Sequence, residues 1–199
     1  MLYKNTIKLF RGKYQYKVVL VCSAAHCFRS GDIQSAIDAL VGRSSKSHKE
    51  VAKVAYALEL AEAMSKMADF EVRIESPWVS IYTNSKVDVD TLTKIDQNSV
   101  KYVCQPADNA NLAVGTIIMP KMNYEYRVTL GKTNQEHSAF IAWADSNKKC
   151  KLTKSCIRDL CSTRTWGGTH FYITGDNNLL LARMHLGECI AKVERIVKN

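Results

Sequence analysis

One seven-residue pattern, Y-x-Y-[KR]-V-x-L, occurs twice, as Tyr14-Gln15-Tyr16-Lys17-Val18-Val19-Leu20 and as Tyr124-Glu125-Tyr126-Arg127-Val128-Thr129-Leu130. Aromatic and β-branched residues fit a pleated, half-buried surface, so each copy reads as a strand. Each copy also opens a similar series of strand-like and helix-like segments. A 199-residue chain that starts such a series twice is bounded to two α+β modules of about 100 residues, or one compact domain built from both.

In the first half, a strand over 14–21 is expected at the centre of a sheet, with 6–10 pairing onto it across Arg11-Gly12-Lys13. Ser30-Gly31-Asp32 opens a short helix through Ile33, Ile37 and Leu40 that Gly42 stops. Ser47-x-x-Glu50 is a capping-box pattern for a longer helix, with Val51, Val54, Leu58, Ala61, Met64 and Ala68 as its apolar stripe. Strands over 70–75 and 78–83 flank Ser76-Pro77, and a helix over 88–96 leads to a strand over 100–105. That order, β-α-α-β-β-α-β, is the ferredoxin-like split βαβ order with its first crossover doubled.

The turn-rich segment 106–111 marks a boundary, giving modules 1–107 and 108–199. In the second half, a strand over 124–130 precedes a helix capped by Thr133-x-x-Glu136 and running through Phe140, Ile141 and Ala144. A helix over 153–161, strands over 169–174 and 179–186, and a terminal helix over 188–198 follow, the closing strand being absent or supplied by 116–119. Sliding 70–96 onto 171–197, an offset of 101, pairs Phe70 with Phe171 and Val79 with Leu180, with apolar coincidences little above chance. The fold class expected is therefore α+β, with tandem ferredoxin-like modules from an apparent duplication.

Lys and Arg number 28 against 19 Asp and Glu, a formal net charge of +9, which points to a polyanion, an anionic surface or an acidic protein as partner. The cations are denser at Lys4, Lys8, Arg11, Lys13 and Lys17, at Arg43, Lys46, Lys49 and Lys53, and at Lys148, Lys149, Lys151, Lys154, Arg158 and Arg164. Solvated faces that keep a protein soluble look the same, so the pattern gains meaning only from aromatics set among it. Residues at i and i+2 of a strand share a face, which places Tyr14 with Tyr16, Tyr124 with Tyr126, and Trp78 with Tyr82. Open sheets of this type stack bases on such rings while Lys and Arg hold phosphates. Trp166-Gly167-Gly168, flanked by Arg164 and His170, adds a loop whose glycines permit a close backbone approach.

The nucleic-acid-binding set is therefore Tyr14, Tyr16, Lys17, Trp78, Tyr82, Lys151, Lys154, Arg158, Arg164, Trp166 and His170, with RNA or single-stranded DNA ahead of duplex. A metal-independent ribonuclease would draw on His26, His170 or Lys154 as acid or base. A third class is a subunit of a larger assembly, in which an apolar strand at Leu179-Leu180-Leu181 is completed by another chain.

No metal and no cofactor is expected. Cys22-x3-His26-Cys27 and Cys150-x5-Cys156-x4-Cys161 lack the paired two-to-four-residue spacing of structural zinc. Gly131-Lys132-Thr133 resembles the end of a phosphate-binding loop, but Tyr126 stands where that loop needs its first glycine. Seven cysteines, an odd number, with no signal-like start and no apolar run of about 18 residues, read as reduced thiols in a cytoplasmic protein that crosses no membrane.

Overall fold

A computed structural model describes residues 2–42, 48–107, 110 and 112–198, with the backbone alone at 48–50 and 52. The chain divides into two compact units, Met1–Leu112 and Ala113–Asn199. Each holds one five-stranded mixed sheet, and six α-helices lie among the described residues, so the fold is mixed α+β.

In the first unit the elements are β1 (Tyr3–Thr6), β2 (Tyr16–Val21), α1 (Ile33–Val41), α2 (His48–Ser65), β3 (Phe70–Glu75), β4 (Trp78–Thr83), α3 (Lys86–Ile95) and β5 (Val100–Pro106). The strands lie in the order β1-β5-β2-β4-β3, with β1 parallel to β5 and every other neighbour antiparallel. Two helices start on side-chain caps: Asp32 accepts from the Gln34 N–H and Ser85 from the Asp88 N–H, each satisfying a donor the first turn leaves open. Alternation along β2 sends Val18 and Leu20 into a core with Val79, Ile81, Val103, Leu40, Leu60, Met64 and Leu92, and turns Lys17 and Val19 to the helix-free face.

The second unit runs β6 (Thr116–Ile118), β7 (Tyr126–Leu130), α4 (Ser138–Ser146), β8 (Cys150–Leu152), α5 (Lys154–Leu160), β9 (His170–Ile173), α6 (Asp176–Leu186) and β10 (Ile190–Val197). Its sheet order is β6-β10-β7-β9-β8, again with one parallel pair, β6 with β10, at the edge. The two sheets thus correspond strand for strand. Val18 faces Ile81 and Val103 across its ladders, and Val128 faces Phe171 and Val193. The motif copies occupy the corresponding central strands β2 and β7. The links differ: α1 and α2 lie between β2 and β3 where α4 alone lies between β7 and β8, and a tight turn joins β3 to β4 whereas α5 joins β8 to β9.

Several expectations need correction. The first strand is Tyr3–Thr6 and pairs with β5, while the 6–10 segment contributes only a Phe10 to Tyr14 bridge. Thr133 caps no helix; α4 begins after His137, and the Thr133 hydroxyl donates to Gln135 O. The 179–186 segment is part of helix α6, which removes the apolar strand proposed for completion by another chain, and Ile190–Val197 of the expected terminal helix is strand β10. Strand correspondence sets the offset of β4 to β9 and of β5 to β10 at 90, not 101. Ala68 is exposed and lies past the end of α2. Ser47 of the expected capping box, Arg43 and Lys46, together with residues 108, 109 and 111 of the expected boundary, fall outside the described residues.

Candidate nucleic-acid interface

On the helix-free face of the first sheet, aromatic rings alternate with cations, and the cations sit on the rings. Lys4 Nζ lies 4.2 Å from the Tyr102 centroid, and Lys17 Nζ lies 5.6 Å from both Tyr102 and Tyr82. Arg11 lies 5.1 Å over Tyr82, and Lys101 only 3.2 Å over Trp78. Each such contact is attractive because the ring face carries negative charge. The consequence is that these π-faces are occupied by the protein's own side chains.

Tyr14 and Tyr16 do not share a face. Tyr16 packs against the helix-side core, whereas Tyr14, 1% exposed, lies 6.4 Å from the Tyr82 ring and donates its hydroxyl to Asp69 at 3.2 Å. Tyr82 itself is 5% exposed beneath Phe10 and Tyr14. The strict i, i+2 rule fails because Tyr14 precedes β2, in the turn that the Phe10 bridge closes.

The second sheet repeats the tyrosine pair: Tyr124 lies 6.0 Å from Tyr172 at an interplanar angle of 32°, against 31° for Tyr14 and Tyr82. Tyr172 joins Ile117 and Ile196 in a small cluster on this face. Beside it, His170 Nε2 is 3.1 Å from Tyr172 Oη and Nδ1 is 3.5 Å from Arg127 Nη2, while Lys192 bonds to the buried Glu194 carboxylate at 2.8 Å. Lys151 pairs across the ladder with Tyr172 and so shares this face. Lys154 and Arg158 are exposed on α5, whose buried Cys156 and Leu160 join the core under the opposite face. The third basic cluster is therefore divided between two faces.

A cavity of about 440 Å³ in the second unit is lined by Lys132, Asn134, Arg164, Thr165 and Trp166. Trp166 is 86% exposed, the most open large apolar side chain among the described residues, and Lys132 Nζ lies 5.4 Å from its ring. The loop is pinned from beneath. Thr165 N–H donates to Thr133 O at 3.0 Å, and Gly168 N–H donates to Leu130 O at 2.8 Å. Gly167, at φ 75°, packs so close that a Cβ there would stand 2.4 Å from the Gly131 carbonyl. Its lack of a side chain is spent on a backbone-to-backbone approach, and the indole next to it is left projecting.

Of the residues expected from sequence, Arg164 and Trp166 come together here. Lys17, Trp78 and Tyr82 share the first unit's face, and His170 with Lys151 lies on the second unit's. Lys132 was legible only as a failed phosphate-loop match, Arg127 only as the basic position of the repeated motif, and Asn134, Lys101 and Tyr102 carried no signal beyond residue type. Residues 113–199 hold thirteen Lys and Arg against seven Asp and Glu, whereas residues 1–112 hold fifteen against twelve, so the excess charge concentrates in the unit that bears the cavity.

All seven cysteines are free. Burial pushes the Cys150 and Cys156 thiols up to about 12, so both stay protonated at neutral pH. Among the described residues no group of three or more His, Cys, Asp and Glu is placed to hold a metal ion, and no helix is long and apolar enough to cross a membrane. No protein-family model, no curated protein and no solved structure matches the chain.

Proposed function

We propose that the chain is a tandem of two ferredoxin-like modules, each with an added edge strand, that binds RNA or single-stranded DNA with little sequence preference. The duplication reading is supported by the shared strand order, the shared strand senses and the matched Tyr14–Tyr82 and Tyr124–Tyr172 pairs. The observation that carries the binding reading is Trp166: an indole 86% exposed, with Lys132 against its ring and Arg164 in the same cavity. A base stacks on the free face of such a ring while the two cations take the flanking phosphates, an arrangement that tolerates any base. Seven free cysteines favour a reducing, cytoplasmic setting.

Fluorescence anisotropy with labelled single-stranded RNA, single-stranded DNA and duplex tests this. Tight binding to the single strands that weakens steeply between about 50 and 200 mM salt is the expected result. No binding at low salt overturns it.

A second reading, as an assembly subunit, rests on α6. Its exposed Leu180, Leu181 and Met184 stand where α3, at the same 90-residue offset, carries Asp90, Thr91 and Lys94. Buried Val89 and Leu92 match buried Leu179 and Ala182, so the fold asks for the inner residues and not for an apolar outer face. Self-association without nucleic-acid affinity, measured by sedimentation, would favour this reading.

A further inference from the structure

Cys189 ends the short Gly187–Cys189 turn between α6 and β10 and is half-buried. Its Sγ lies 3.4 Å from Nε2 of His137, a buried side chain just before α4. The same Nε2 is 3.1 Å from Thr133 Oγ1, whose hydrogen is donated to Gln135 O at 3.0 Å. The threonine oxygen can therefore only accept from a protonated Nε2, and the neutral tautomer with its hydrogen on Nδ1 leaves Nε2 bare toward the Cys189 thiol. Once a proton moves from Cys189 to Nε2, the new N–H points at both the thiolate sulfur and the Thr133 oxygen, so the charge-separated pair is solvated by groups already in place. Burial lowers the His137 pKa, which keeps the resting ring neutral and opposes the imidazolium, so the transferred proton is held only through the contacts to the thiolate and Thr133.

The same residues anchor the Trp166 loop. Gly131 N–H donates to Cys189 O at 2.7 Å, Gly131 lies against Gly167, and Thr133 bridges to Thr165. Trp166 thus stands between two residues held by the 131–133 segment, and that segment is held by Cys189 and His137. A bulky group on Sγ takes the place of the His137 contact, the one link in this anchor that the Cys189 side chain makes.

We propose that Cys189 is a thiol-exchange site for small disulfides of the glutathione class, and that its modification releases the Trp166 loop; the second half rests on the nucleic-acid reading above. The thiolate attacks one sulfur of the disulfide, an S–S bond forms at Cys189 as the original S–S bond breaks, and the departing thiolate takes the proton held by His137. A second thiol reverses the exchange.

The test treats the full chain with oxidised glutathione and follows each cysteine-containing peptide by mass spectrometry. Cys189 is expected to react about tenfold or more faster than the exposed Cys161, and His137→Gln is expected to abolish that lead. Buried Cys150 and Cys156 act as the folding control, because their labelling in the variant would reveal unfolding instead of a lost base. Where His137→Gln unfolds, Thr133→Val is used instead and is expected to lower the Cys189 rate in a folded chain. Equal rates at Cys189 and Cys161 in the parent protein overturn the site. Anisotropy is then measured on parent, glutathionylated and Cys189→Ser protein. Weaker RNA binding after glutathionylation, absent in Cys189→Ser, supports the coupling, and unchanged binding refutes it. A parent protein that binds no RNA refutes the nucleic-acid reading, and the coupling with it, while the cysteine rates still decide the exchange site.

Discussion

On the first sheet Tyr82 is sealed beneath Phe10 and Tyr14, and its ring is taken by Arg11 and Lys17; on the second, Tyr172 meets Tyr124 in nearly the same geometry, yet the neighbouring loop lifts Trp166 free. The inward positions match: Val18 with Val128, Val103 with the partly buried Val193, Val89 with Leu179, Leu92 with Ala182. The outer positions do not. A fold constrains the residues that fill its core and leaves loop and surface chemistry free to change, so the divergent positions are where function is best sought.

The comparison is broken most severely at the matched tyrosines. Tyr82→Ala and Tyr172→Ala should each cost about 3 kcal/mol or more, by the scale for buried aromatics. Urea unfolding of the two variants checks it, and a large effect in one with none in the other would dissolve the proposed equivalence. Next comes Gly167→Ala. Its Cβ would overlap the Gly131 backbone and its φ of 75° disfavours any side chain, so a loss of roughly 1–3 kcal/mol is expected from overpacking and strain. Gly12→Ala, also at positive φ but with open space around the added methyl, should cost less than Gly167→Ala in the same assay.

Binding sharpens the contrast further. Trp166→Ala should weaken single-stranded RNA binding by about 1–3 kcal/mol, the worth of one base stack, without changing the unfolding midpoint. Trp78→Ala should leave affinity nearly unchanged, because Trp78 is only 39% exposed and Lys101 already covers its ring. The reverse ranking, read by anisotropy, would move the interface to the first sheet.

The sequence foretold β3, β4 and the two central strands because each is rich in aromatic and β-branched residues, with Ser76-Pro77 marking the turn between β3 and β4. The α3 helix was expected over 88–96, and its cap Ser85, which starts it two residues earlier, was not read from the sequence. Its counterpart α6 starts at Gly175, which offers no capping side chain, and its exposed Leu180, Leu181 and Met184 blur the Leu179, Ala182, Leu186 stripe that marks the helix. In β10 the reverse error has a structural cause. A bulge between Ile190 and Lys192 puts Ile190 and Val193 on the same face, so a strand acquires the three-residue spacing of a helix. The projecting Trp166 was visible as a residue, but its exposure depends on Gly167 meeting Gly131, a contact between positions 36 residues apart that no local pattern records.

Salt dependence separates the two units more finely. Lys132→Ala and Arg164→Ala should each lower the slope of log affinity against log salt by about 0.7, one phosphate contact on a single strand, whereas Lys13→Ala should leave it unchanged. Lys13 is committed to Asp69 at 2.7 Å, and that bond holds the Asp69 carboxyl below its ordinary range and the Lys13 ammonium above its own.

The smallest effect expected is in the pH profile of stability. His137 in the second unit has its pKa lowered by burial from an ordinary value of 6.5. As pH falls below that value the unfolded chain takes up a proton the folded one resists, so the second unit loses stability from there down to the lowered folded value. The first unit's Asp69, lowered from 3.8, contributes stability only above that value and loses it as pH falls further, and its exposure to water keeps the contribution small. Lys13, raised from 10.5, acts at the other end and loses its contribution as pH rises through the raised value. Acid should therefore weaken the second unit first. Hydrogen exchange of the core amides of β7 and β2, followed from pH 7.5 to 5 and corrected for intrinsic rates, measures this. Protection should fall at β7 and hold at β2, and His137→Gln should flatten the β7 profile; equal loss in both strands would assign the acid sensitivity elsewhere.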